Sequence, residues 1–294
     1  MPETISIRSW GGIGDALLAT PAFRALKEEH PGKRLRVYCI TRSHYDVYLH
    51  NPYIDDLKPP STLTELRHNV MNTLGLPVSV KEPSYGLLLP ALFYRKSAPA
   101  IIAEMLGVTL RSEQLVIRLT HTEEHAAQEI LAEYHTPVAI HITSHFSSNQ
   151  HWPLRNWEEL VSRNPDITFV QMGVKTEPAI PDSVDLRGKL SLRMSLAILK
   201  AARSFVGVCS VFSHATNAFG TRGVVLFGPA PPVIWGHPNN LNLYKKLPCS
   251  PCNDILRADP CPYATPCMRA ISVQDVEKAL RRQTQQSRLS ACCV

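Results

Sequence analysis

The segment from Ile5 to Leu18 limits the fold of this chain more than any other. Ile5-Ser6-Ile7-Arg8 is a β-type run, Trp10-Gly11-Gly12-Ile13-Gly14 a glycine-rich turn, and Asp15-Ala16-Leu17-Leu18 the opening of an apolar helix. A strand that passes through a tight glycine turn into a helix is the first half of a βαβ unit, which builds parallel sheets. The same turn poses the functional question. A carboxylate at a helix start can cap the free N–H groups there, or it can stand as a base at the floor of a cleft.

The alternation continues along the chain. The pattern predicts a helix from Ala16 to Glu29, a strand from Leu35 to Ile40, a short helix from Tyr45 to His50 and a strand from Ile54 to Leu57. It blurs from Lys58 to Pro99. Helices follow at Ala100 to Leu106 and at Glu123 to Tyr134, the latter with Thr122 as its cap. Thr136-Pro137 breaks the pattern, which then restarts. Strands are expected at Val138 to Ile142, Ile167 to Met172, Ser204 to Val208 and Gly223 to Phe227. Helices are expected at Asn156 to Ser162, Leu192 to Ala202, Ser213 to Phe219 and Val273 to Arg282, before a polar, frayed tail. The expected fold is α/β, two doubly wound domains in tandem. Residues 1–135 form the first; residues 136–294 form the second, with a cysteine-rich loop (249–267) and a terminal helix.

Composition narrows the class. An apolar fraction of 44% with 19% charged residues belongs to a globular protein rather than a disordered one. No apolar run is long enough to span a bilayer, and the start lacks the apolar core of a secretory leader, so a cytoplasmic protein is expected. The net charge of +6 carries no block of Lys or Arg that would make a nucleic-acid arm. A mildly basic surface suits anionic substrates or contact with the inner face of a membrane.

Three constellations bear chemistry. Gly12-Ile13-Gly14 supplies two glycines of a dinucleotide fingerprint, but Leu17 holds the third position. Thr41-Arg42-Ser43 follows the second strand where a ribose-binding acid belongs, so an NAD(P) oxidoreductase is disfavoured. Thr143-Ser144 and Ser210-Val211-Phe212-Ser213-His214 each follow a strand, where hydroxyls and helix N–H groups suit a diphosphate. Cys249, Cys252, Cys261 and Cys267 have the spacing of an all-thiolate zinc or iron site, structural because every position is filled. Reduced or disulfide-paired loop cysteines are the alternative.

Taken together, Gly14-Asp15-Ala16-Leu17-Leu18-Ala19-Thr20-Pro21, Asn51-Pro52-Tyr53-Ile54-Asp55, His151-Trp152-Pro153-Leu154-Arg155-Asn156-Trp157, Asp185-Leu186-Arg187-Gly188, Phe227-Gly228-Pro229 and the cysteine motif resemble family 9 glycosyltransferases. These are the ADP-heptose:lipopolysaccharide heptosyltransferase group. The resemblance implies a GT-B fold, two Rossmann-like domains facing a central cleft. It implies inverting transfer of a sugar, heptose among the candidates, from a nucleotide-diphosphate donor of the ADP-heptose kind. The acceptor would be a hydroxyl of a glycan, a lipid-linked glycan or a protein. Asp15 would be the base, beside an acceptor-side loop of Gly11, Gly12 and Gly14, and no catalytic metal is expected. By matching position the donor would meet Thr143, Ser144, Gln150, Ser210, Val211, Phe212, His214, Gly228 and Pro229. Gln150 stands where the family has lysine, Cys209 where it has aspartate, and Val211 where it has glycine. Those departures leave an alternative: a catalytically impaired relative that acts as a binding or assembly protein.

Overall fold

The computed structural model describes residues 3–62, 80–81, 95–252 and 260–291, with side chains through residue 285; Cys292 and Cys293 lie outside them. The chain divides into two compact units, residues 1–118 and 119–294.

The first unit runs β1 (Thr4–Arg8), α1 (Ile13–Leu18), α2 (Thr20–Glu29), β2 (Arg34–Tyr38), α3 (Arg42–Tyr48), β3 (Asp56–Lys58), β4 (Val80–Lys81) and α4 (Ala98–Leu106). Its strands are all parallel in the order β3-β2-β1-β4. Ile7 of β1 pairs in register with Val37 of β2, and both are fully buried. The single helix expected from Ala16 to Glu29 is two helices that meet at Ala19. Pro21, in the first turn of α2, has no N–H to continue the ladder. The Asn51–Asp55 motif is structural: Asp55 Oδ2 accepts from Leu35 N at 2.7 Å and pairs with Lys27 Nζ at 2.8 Å, tying α2 to β2.

The second unit runs α5 (His121–Leu131), β5 (Pro137–His141), a 3-10 turn (Ser148–Gln150), α6 (Leu154–Ser162), β6 (Thr168–Gln171), β7 (Val184–Asp185), α7 (Leu192–Ala201) and β8 (Ser204–Val208). It continues with α8 (Val211–Phe219), β9 (Gly223–Phe227), α9 (Pro232–Trp235), β10 (Asn240–Tyr244), α10 (Pro266–Arg269) and α11 (Val273–Ala291). Its strands are parallel in the order β10-β9-β8-β5-β6-β7, so the chain reverses direction between β5 and β8. In doubly wound sheets that switch point, at the carboxyl ends of the strands, is where ligands bind.

Two expectations change here. The domain boundary moves from residue 135 to residue 118, because α5 packs on α7 through Glu123–Arg193 and Glu124–Lys200 ion pairs. The terminal helix runs past Arg282 to Ala291. Its next turn is held by buried Gln283, which donates from Nε2 to Gly223 O at 2.9 Å, and by buried Thr284. The Trp152-Pro153 motif serves the core: the Trp152 and Trp157 rings meet edge-on at 5.0 Å, and Trp152 Nε1 donates to Ile271 O at 2.9 Å. Among the described residues no helix is long and apolar enough to cross a membrane.

Candidate active site

Asp15 sits in the first turn of α1, and its Oδ2 accepts from Gly12 N at 2.7 Å. The carboxylate therefore caps the helix. It also stays half-exposed beside a turn whose Gly11 and Gly12 are open to solvent. Gly11 has φ +66°, and a side chain built there would place Cβ 2.4 Å from Asp15 Oδ2. Beneath the turn lies His44, 1% exposed, whose Nδ1 is 2.8 Å from Ser9 Oγ; that oxygen also accepts from Ile40 N at 3.1 Å. Burial pulls the His44 pKa down to about 4, although the Gly12 and Gly11 backbones against the ring favour its protonated form. At neutral pH the ring is an uncharged prop for the glycine turn. Tyr48, fully buried, completes the floor; burial first, then the nearby Cys39 and Asp15, keeps its phenol protonated.

In the second unit the strand ends gather part of the expected donor set. Thr143 and Ser144 follow β5, and Ser210 is the N-cap of α8. Ser144, Ser210 and Val211 are half-exposed, whereas Gln150 is 7% and Phe212 5% exposed. His214 is buried within α8 with its Nδ1 2.9 Å from His237 Nε2. Burial, then the facing His237, drives the His214 pKa well below its ordinary value, and burial takes that of His237 to about 4. The pair is a neutral hydrogen-bonded unit, not a cation. Gly228 and Pro229 are buried at the end of β9. A side chain at Gly228 would meet Met268 Sδ at 2.4 Å and Cys267 Sγ at 3.0 Å.

Cys249, Cys252, Cys261 and Cys267 line one shallow cavity with Asn149 and Pro229, and Asn149 Oδ1 accepts from Cys261 N at 2.7 Å. Burial raises the Cys267 thiol, which also feels Cys252 and Cys249. The thiols thus share a cavity. Yet no three Cys, His, Asp or Glu side chains among the described residues stand close enough together to hold an ion, and these four cysteines form no disulfide.

The sequence reading missed three groups that the fold brings to these positions: His44, His141 and Glu177. His141 ends β5 and faces Ser210 Oγ at 3.1 Å through Nδ1 and Glu177 Oε1 at 3.5 Å through Nε2. Burial alone would raise the Glu177 pKa. His141, the Val174 N–H and the Thr143 hydroxyl outweigh it and hold the carboxyl below its usual range. No local spacing marks these residues, because each partner arrives from a different strand end.

The sequence model of glycosyltransferase family 9 (heptosyltransferase) matches residues 96–261. Lipopolysaccharide heptosyltransferase 1 of Salmonella typhimurium is 24% identical over 226 residues, 69% of this chain and 67% of that protein. The ADP-heptose lipopolysaccharide heptosyltransferase II of E. coli superposes with a TM-score of 0.72 at 13% identity, covering 97% of this chain and 99% of that one. The dodecameric iron-containing heptosyltransferase TibC, from enterotoxigenic E. coli and solved with ADP-D-beta-D-heptose, gives 0.71 at 17% identity over 97% and 77%. These likenesses establish the α/β architecture as GT-B.

Proposed function

The chain belongs to glycosyltransferase family 9, and on that footing we propose that it is an inverting transferase with Asp15 as general base. Asp15 takes the proton of an acceptor hydroxyl while that oxygen attacks the anomeric carbon of a nucleotide-diphosphate sugar. The bond from that carbon to the diphosphate breaks on the opposite face, and its electron pair leaves on the phosphate oxygen. The first unit receives the acceptor: a glycan, a lipid-linked glycan or a protein. The second receives the donor, of the ADP-heptose kind, at Thr143, Ser144 and Ser210 near the β5/β8 switch point. The reaction uses no catalytic metal and takes place in the cytoplasm, where peripheral contact with the inner membrane face would bring a lipid-linked acceptor within reach.

The observation that carries this reading is the Asp15 carboxylate, fixed by Gly12 N–H yet open to solvent at the carboxyl end of β1. Transfer assays with a panel of nucleotide sugars test it. Asp15→Asn keeps the fold and lowers turnover by about 10²- to 10⁴-fold; undiminished turnover by Asp15→Asn removes the base. A second reading, a binding or assembly protein without turnover, rests on the buried Gln150 and the neutral His214–His237 pair, which leave no cation at those positions for the leaving phosphates. Nucleotide binding without turnover on any donor selects that reading. Their shared cavity supports a structural zinc or iron clip at the four cysteines in either case, one that forms only when the loop draws the sulfurs closer than they stand here.

A further inference from the structure

We infer that Asn149 is a positioning residue that couples metal uptake by the cysteine loop to binding of the donor diphosphate. The inference rests on the donor and clip readings above.

Ser144 and Gln150, both of the expected donor set, lie on one closed segment before α6. His151 Nε2 stands 3.1 Å from Ser144 N and from Ser144 O, which brings the two ends of the segment together. Inside it, Ser147 Oγ accepts from Asn149 N at 3.1 Å, and Gln150 N donates to Ser147 O at 3.2 Å. Ser147, Asn149 and Gln150 are all buried. A segment tied at its ends and again in its middle shifts as one piece rather than residue by residue.

The Asn149 side chain leaves this segment for the cysteine loop, where its Oδ1 accepts from Cys261 N at 2.7 Å. A second tie reaches the end of β9. Ser250, beside Cys249, donates from Oγ to Gly228 O at 2.5 Å, and Cys267 and Met268 fill the space next to Gly228. Asn149 and Pro229 line the same cavity as the four thiols. The cysteine-bearing stretches thus hold two parts of the expected donor set, Ser144 and Gln150 through Asn149, and Gly228 and Pro229 directly.

An all-thiolate site holds each sulfur about 2.3 Å from the ion. No three of the four sulfurs stand that close together here, so filling the site requires Cys261 and its neighbours to close inward. Cys261 cannot shift without either carrying Asn149 along or leaving a buried amide oxygen without its donor. An unsatisfied buried acceptor is the costlier course, so the bond survives and the segment follows. Ser144 and Gln150 are then fixed before a nucleotide arrives, and the diphosphate has less of the chain to order on binding. The effect is reciprocal: the factor by which the closed loop tightens the diphosphate is the factor by which the diphosphate tightens the metal.

Calorimetric titration of the full chain with ADP tests the coupling, on protein stripped of metal and on protein loaded with zinc or ferrous iron and freed of excess. The wild-type chain binds ADP about fivefold to a hundredfold more tightly in the loaded form, while adenosine, which has no phosphate, binds alike in both. Asn149→Ala still takes up about one metal ion but binds ADP with a single affinity, loaded or stripped. A residue that merely shaped its own turn would leave the dependence on metal in place. The wild-type comparison stands even if the variant fails to fold. ADP affinity that ignores metal in the wild-type chain overturns the coupling alone. So does a metal effect shared equally by adenosine, or a variant that keeps the full effect. If the wild-type chain takes up neither metal, the clip reading falls; if ADP, GDP and UDP all fail to bind it, the donor reading falls. Either result takes the coupling with it.

Discussion

At position 11 the backbone and the proposed base constrain each other. Gly11 occupies the left-handed region at φ +66°, and its missing side chain is the space in which Asp15 Oδ2 lies. Gly11→Ala combines a conformational cost of about 1–2 kcal/mol with a collision against the carboxylate. Turnover is therefore expected to fall by more than the stability loss explains. Gly12→Ala meets Asp15 Oδ2 at an ordinary 3.6 Å from extended backbone, so its stability stays within about 0.5 kcal/mol of wild type. Denaturant unfolding and initial transfer rates on both variants check the pair. Asp15 was legible in the sequence because its glycines, turn and helix are contiguous. His44 was not, since the Ser9 it props lies on another strand end, and nothing near His44 announces the contact.

Among the elements, α5 shows where local reading stops. Its capping box is written in the chain: Thr120 Oγ1 accepts from Glu123 N at 3.2 Å, and Glu123 Oε2 accepts from Thr120 N at 2.8 Å. The cap is Thr120 rather than Thr122, because only the residue three before Glu123 can make the reciprocal bonds. Which unit the helix joins is not written locally. That is decided by Arg193, which grips Glu123 from α7 with Nε and Nη2 at 2.5 and 2.6 Å. The Pro137 break is the louder signal, and it misplaces the boundary. Chiefly through Arg193, the Glu123 pKa falls to about 2 from an ordinary 4.5. A carboxylate lowered in the fold stabilises it above the unfolded pKa and ceases to do so as pH falls through the folded one. The second unit should lose about 2 kcal/mol between pH 4.5 and 2 from this pair, after allowance for solvent screening. Thermal unfolding across that range, flattened in Glu123→Gln, is the measurement. The alternation in Asn240–Tyr244 would have allowed β10 to be read as well.

For the molecule as a whole, alternation of strand and helix carried the architecture: two parallel sheets, the second in the order of a doubly wound nucleotide-binding fold. The cysteine loop marks the other limit. Spacing foresaw four thiols together, and they do share a cavity, but spacing says nothing about how far a loop must close to bring sulfurs within bonding distance of one ion. A clip predicts about one zinc or iron per chain in protein purified without added metal, and a lower unfolding temperature after chelation. Metal well below stoichiometry, or chelation without effect on unfolding, counts against it.

The wall between that loop and β9 has one more consequence. Ser250 Oγ donates to Gly228 O at 2.5 Å, and Cys267 and Met268 fill the volume a side chain at position 228 would need. Position 228 can accept another amino acid only if both neighbours retreat, and a bulkier residue at 267 or 268 would press on a backbone with no room to yield. Two stretches far apart in the chain are thus bound to drift together over generations of sequence change, the turn after β9 permitting only what the cysteine loop permits.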